Sequence, residues 1–146
     1  MLEDKVGQSL AIREARSDDL ELINYYALQD NLGDFSEGDT AYVIVNEDDQ
    51  VLGAIRLSFD EQKVAHVNPI VVNELWRGYG LGRELIAYVH KKYGELRLVA
   101  RGSSVGFYEK LGFVPAHLDE IEPNVRAECV ECPVVDTCKP MPMKLV

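Results

Sequence analysis

Arg77-Gly78-Tyr79-Gly80-Leu81-Gly82 sets three glycines at the junction between an extended segment and a helical one. Without a Cβ, glycine lets backbone N–H groups approach an anion closely. The helix that follows contributes the positive end of its dipole. The pattern therefore fits a pyrophosphate cradle, and it also fits a plain glycine-rich turn. Two other phosphate motifs are excluded. A P-loop ends in Gly-Lys-Ser/Thr, and here Arg83-Glu84 follows. A dinucleotide fingerprint reads G-x-G-x-x-G after the first strand, whereas these glycines read G-x-G-x-G after several strands.

Downstream of the loop, Arg83 to Tyr93 has helical spacing, with Leu85, Ile86, Val89 and Tyr93 as an apolar stripe and Gly94 as a C-cap residue. Leu96 to Ala100 reads as a strand. Ser103 to Leu111 reads as a short helix stopped by Gly112, Phe113 to Ala116 as another strand, and Met141 to Val146 as the last. Upstream, Leu10 to Arg16 is extended. Ser17 reads as an N-cap with Asp18 and Asp19 in the first helical turn, and Leu20, Leu22, Ile23, Tyr26 and Ala27 form one apolar face. Asn31 to Asp39 is a loop or a short second helix. Ala41 to Val45 and Val51 to Phe59 flank a turn at Asn46–Gln50, and Val64 to Val72 completes an antiparallel meander. A meander followed by alternating strands and helices predicts an α/β (α+β) fold with a mixed sheet.

The chain has 146 residues, one domain's worth, with 47% apolar and 27% charged residues, which excludes a disordered or low-complexity chain. Lys and Arg number 15 against 25 Asp and Glu, so the net charge of −10 disfavours nucleic acid and anionic membranes. No apolar run reaches the ~20 residues of a membrane span. Residues 1–9 lack an apolar leader core and read as a flexible tail ahead of a single domain at 10–146, with a cytoplasmic location expected. Against that charge, Arg77 to Lys110 holds seven bases and three acids, which favours an anion site around the glycine loop.

Arg77-x-x-Gly80-x-Gly82 resembles the R/Q-x-x-G-x-G/A motif of the GNAT superfamily of acetyl-CoA-dependent N-acetyltransferases. Gly106-Phe107-Tyr108-Glu109-Lys110-Leu111-Gly112-Phe113 resembles the segment that follows it in that family. Order and spacing match, and the resemblance extends over about residues 10 to 116. It implies a mixed, mostly antiparallel sheet of about six to seven strands, flanked by about four helices and splayed between the third meander strand and Leu96–Ala100. The pantetheine arm of acetyl-CoA would lie in that splay along Asn68, Ile70, Val71 and Val72, as an added strand would. The pyrophosphate would sit on Arg77, Gly78, Tyr79, Gly80, Leu81 and Gly82, with Arg83, Arg101, Phe107 and Lys110 as further coenzyme residues. Tyr108 corresponds to the family's general acid for the departing thiolate, and backbone N–H groups near Asn68 to Ile70 would hold the oxyanion.

Many relatives carry Asn where this chain has Arg101, and an arginine there is closer to the glutamate-acetylating amino-acid acetyltransferases. Arg101 could clamp a substrate carboxylate, meet coenzyme phosphates or pair with a surface acid. The family often uses a glutamate on the third meander strand as base, and none stands there. His66, on the face shared with Val64 and Asn68, is the candidate, beside the alternative of a structural histidine; Asp60, Glu61 or a water chain are the others. Residues 17 to 50 carry ten acids and no Lys or Arg, so an acidic lip that attracts a cationic amine stands beside a merely solvated face.

Cys129-x-x-Cys132-x5-Cys138 is half of a zinc-type pattern, and His117 could complete Cys3His around a structural zinc. A redox pair and ordinary buried cysteines are the alternatives. The expected activity is acetyl transfer from acetyl-CoA to a primary amine of a small molecule or peptide, by direct attack of the amine. An amino-acid acceptor and a non-catalytic acyl-CoA-binding or metal-held interaction module are the competing readings. GNAT proteins are often dimers, so a homodimer stays open as an expectation.

Overall fold

The computed structural model describes residues 2–3, 9–29, 35–123, 125 and 139–146. The chain divides into two compact units, Met1–Ser58 with Pro69–Val89 and Phe59–Asn68 with His90–Val146.

The first unit is built on antiparallel strands in the order β1 (Leu2–Glu3), β2 (Ser9–Glu14), β3 (Thr40–Val45) and β4 (Val51–Phe59), with the Pro69–Val72 half of β5 (Ala65–Val72) beside β4. Leu2 pairs with Leu10, so part of the stretch expected as a tail is a strand. Asn46 closes the β3–β4 hairpin: its side-chain oxygen accepts from the amides of Asp48 and Gln50, both at 3.0 Å. Gly53 is required by close approach, since a Cβ there would lie 2.9 Å from the Val71 carbonyl oxygen.

Helix α1 (Leu20–Gln29) is entered through a 3-10 turn at Ser17–Asp19. Asp19 caps the entry rather than Ser17, its carboxylate accepting the Arg16 amide at 2.7 Å. The carboxylate is short, acidic and three residues on, so it reaches the orphan amide and suits the dipole. Arg13 grips the same carboxylate with its two terminal guanidinium nitrogens, at 2.8 and 3.0 Å, and holds it below the usual carboxylate range. Of the expected apolar face, Ile23, Tyr26 and Ala27 are buried, whereas Leu22 is exposed. The three join Phe35, Ala41, Val43, Val45, Val51, Ala54 and Val71 in one core.

Helix α2 (Leu81–Tyr93) begins inside the glycine stretch, two residues earlier than the spacing indicates. Leu81 is apolar and buried, which pulls the first turn into the fold together with Leu85, Ile86 and Val89. Gly94 ends the helix at φ 81°, as expected of a C-cap.

In the second unit the order is β5 (its Ala65–Asn68 half), β6 (Leu96–Ala100), β8 (Met141–Leu145) and β7 (Val114–Pro115). β5 and β6 run parallel, paired at Ala65↔Leu96 and His66↔Arg97, and the other ladders are antiparallel. Mixed, mostly antiparallel pairing is thus observed, with three α-helices among the described residues. The third, α3 (Val105–Lys110), follows a 3-10 turn at Gly102–Ser104. Arg97 ties this unit together, donating to Glu95 at 2.6 Å and to the Glu120 carbonyl at 2.8 Å, and Lys144 binds the Glu120 carboxylate at 2.8 Å.

Candidate active site

The glycine loop is held from below. Asn73 donates its backbone N–H to the Leu52 carbonyl at 2.8 Å and its side-chain amide to the Tyr26 hydroxyl at 3.0 Å. That hydroxyl in turn donates to the Val51 carbonyl at 3.0 Å, and the Asn73 side-chain oxygen accepts from the Leu75 amide at 2.9 Å. Asn73 thereby fixes the Glu74–Trp76 turn that leads into the loop. Sequence reading missed this latch. Its only trace is an asparagine two residues before an apolar turn position, the signature of an Asx turn.

Gly78 and Gly80 take φ of 88° and 82°, a conformation that side chains disfavour, so both glycines are needed. The first helical bond of α2 runs from the Glu84 amide to the Gly80 carbonyl at 3.1 Å. The amides of Leu81, Gly82 and Arg83 precede it and have no carbonyl within the helix to bond. Arg77 and Arg83 are exposed beside these amides. Orphan amides, a dipole end and two exposed guanidiniums thus stand together at this loop. Ile70, Val71 and Val72 belong to the same unit, with Val71 buried and the other two half-buried.

The second unit holds the other expected residues. Tyr108, on α3, is 8% exposed, packed edge-on between Phe107 and Phe113 at ring separations of 5.0 and 5.3 Å. Its hydroxyl has no hydrogen-bond partner among the described residues. Burial pushes the phenol up to about 12, and the nearby positive charge of Arg101 opposes that shift. The phenol therefore stays protonated at neutral pH. Arg101 is exposed at the end of β6, and Phe107 and Lys110 are exposed on α3.

His66 is fully buried, and both ring nitrogens are engaged. Nδ1 lies 3.0 Å from the Val64 carbonyl, to which it can only donate, and Nε2 accepts the Glu122 amide at 3.0 Å. The partners assign the tautomer and leave no lone pair for an ammonium proton. Both ring nitrogens are thus occupied within the fold, which favours the structural alternative for His66 over the general base. Asp60 is also committed, to the Val64 amide and the Arg97 guanidinium. In the Asn68–Ile70 stretch, Pro69 has no N–H, so only Asn68 and Ile70 carry a backbone amide donor there.

Cys129, Cys132 and Cys138 lie outside the described residues. His117 is exposed, its backbone amide bonded to the Glu120 carboxylate at 2.8 Å. Among the described residues no group of three or more His, Cys, Asp or Glu could hold a metal ion, and no helix is long and apolar enough to cross a membrane.

Residues 12–127 match the family described as "Acetyltransferase (GNAT) domain". The chain belongs to the GNAT acetyltransferase family. Solved structures share the GNAT fold. N-acetylglutamate synthase from Neisseria gonorrhoeae, in a complex with coenzyme A and N-acetyl-glutamate, is similar at 18% identity and a TM-score of 0.71; the match covers 93% of this chain and 34% of that one. This chain thus spans about a third of the synthase's length. Rv2747 from Mycobacterium tuberculosis, in a complex that includes CoA, is similar at 15% identity and a TM-score of 0.68, covering 93% and 98% of the two chains. A GNAT-family acetyltransferase from Staphylococcus aureus Mu50 is similar at 15% identity and a TM-score of 0.66, covering 93% and 98%. At such identities the likeness is one of fold. No curated protein matches the sequence.

Proposed function

We infer that this GNAT protein acetylates a primary amine by direct attack of the amine nitrogen on the thioester carbonyl of acetyl-CoA. The observation that carries the mechanism is the Tyr108 hydroxyl, buried and without a hydrogen-bond partner among the described residues. Burying a hydroxyl unpaired costs roughly 1–3 kcal/mol, a cost that makes sense where a ligand atom completes the bond. In the reaction a C–N bond forms and the C–S bond breaks. Tyr108 gives its proton to the departing thiolate and regains one from solvent. The amine's proton leaves through water, since His66 has no free lone pair. Within the first unit, Val71 and Val72 take the pantetheine arm and the loop from Arg77 to Arg83 takes the pyrophosphate.

An amino-acid acceptor is favoured over a polycation. Asp19 and Asp49 are committed to Arg13 and Arg16, and Asp39 to Arg56, so the acid-rich stretch is partly structural. Arg101 is exposed, and its charge is felt at the Tyr108 hydroxyl, where a substrate carboxylate could meet it. The fold likeness to N-acetylglutamate synthase supports the same choice.

A thiol-release assay with acetyl-CoA against free amino acids, polyamines, aminoglycosides and a lysine peptide tests the reading. Turnover is expected with the amino acids, with KM raised about tenfold or more by Arg101→Ala. Turnover with polyamines alone would overturn the acceptor class. Coenzyme binding with silence across the panel would favour a non-catalytic binding module.

A further inference from the structure

We propose that Trp76 and Tyr79 form an aromatic platform that stacks the adenine of the coenzyme, an assignment that rests on the coenzyme-binding reading above. The two rings lie on either side of Arg77-Gly78, with centroids 5.5 Å apart and planes tilted by 55°. Tyr79 is 37% exposed, and Leu75, just before Trp76, is 84% exposed. Tyr79 stands exposed at the loop tip while Trp76 beside it is half-buried, so one ring offers a free face and the other is anchored. Gly78 and Gly80, both at positive φ, bracket Tyr79 and set the direction of its main chain. The tilt means that the rings do not cover each other face to face, so a flat heterocycle can lie on the Tyr79 face while Trp76 braces it from the side.

The surroundings supply the remainder of a nucleotide site. Arg83 folds back over the loop, its Nη2 lying 3.2 Å from where a Cβ on Gly80 would stand. Its guanidinium and that of Arg77 are the cations of a loop whose leading amides are unpaired within the helix. An aromatic face, two guanidiniums and orphan amides within a few residues match a nucleoside carrying phosphates. A nucleotide-free phosphopantetheine would use the amides and leave the rings idle.

Trp76 is the only tryptophan of the chain, so the site reports on itself. The full chain is titrated with CoA, adenosine 3′,5′-bisphosphate and 4′-phosphopantetheine, with Trp76 emission and binding heat followed together. CoA and the bisphosphate are expected to change the emission, and 4′-phosphopantetheine to bind without doing so. Tyr79→Ala is expected to weaken CoA roughly tenfold, as loss of one base–aromatic stack does. Tyr79→Phe, which keeps the ring, should bind CoA like the parent, and 4′-phosphopantetheine should bind all three proteins equally. Undiminished CoA affinity in Tyr79→Ala would overturn the platform and leave the coenzyme reading standing. A parallel loss of CoA and 4′-phosphopantetheine would show that Tyr79 only shapes the loop, which also overturns it. Failure of the parent protein to bind either compound would remove the coenzyme reading and the platform with it.

Discussion

His66 and Tyr108 are two buried polar side chains of the same unit, and their surroundings differ in one respect. Around His66 every polar atom is used: a carbonyl faces Nδ1 and an amide faces Nε2. Around Tyr108 the ring is packed and the hydroxyl has no hydrogen-bond partner among the described residues. A satisfied buried group stabilises the fold and has nothing to offer a substrate. An unsatisfied one costs stability and keeps its hydrogen bond for something that binds. The contrast separates structure from chemistry in a family where either residue type could serve.

Stability measurements by urea denaturation can break this comparison, and four are taken here from the largest effect to the smallest. His66→Ala should lose roughly 3–4 kcal/mol, through the cavity and the orphaned Glu122 amide. Turnover per folded molecule should hold, and a specific loss of turnover at full folding would return His66 to the chemistry. Gly53→Ala should cost about 2 kcal/mol, because the new Cβ meets the Val71 carbonyl and backbone must shift.

Asp19→Asn should cost roughly 1–2 kcal/mol at neutral pH, through the fork with Arg13 and the helix entry. Asp19 has a lowered folded-state pKa, so its contribution is full above the unfolded value of about 3.9 and vanishes as pH falls through the folded value. The gap between parent and variant should therefore close only below about pH 4. A gap unchanged at pH 2 would point to lost packing instead of lost charge. Tyr108→Phe should be neutral within about 0.5 kcal/mol or slightly stabilising, since it deletes a buried hydroxyl with no partner among the described residues. A clear destabilisation would mean that the hydroxyl has a structural partner.

Much of this was legible in the residues. The glycine run marked the turn with positive φ at Gly78 and Gly80, and the Phe107-Tyr108 segment marked a short helix, because both are local properties of the chain. The meander and α2 followed from apolar periodicity, although the buried Leu81 moved the start of α2 into the glycines. What stayed hidden depends on long-range partners. The fate of His66 is decided by Glu122, 56 residues away, and strand alternation alone could not show that amide. Asn73 looks like any polar loop residue until Tyr26, 47 residues earlier, is seen to receive its amide. The ten acids of residues 17 to 50 read as a lip until Arg13, Arg16 and Arg56 are found to hold three of them.

The central claim, that the Tyr108 hydroxyl is reserved for the leaving thiolate, is tested most directly by the turnover of Tyr108→Phe in the thiol-release assay. A drop in kcat of roughly a hundredfold or more, with coenzyme affinity and melting temperature preserved, is the predicted result. Turnover equal to that of the parent would contradict it and leave the buried hydroxyl without a function.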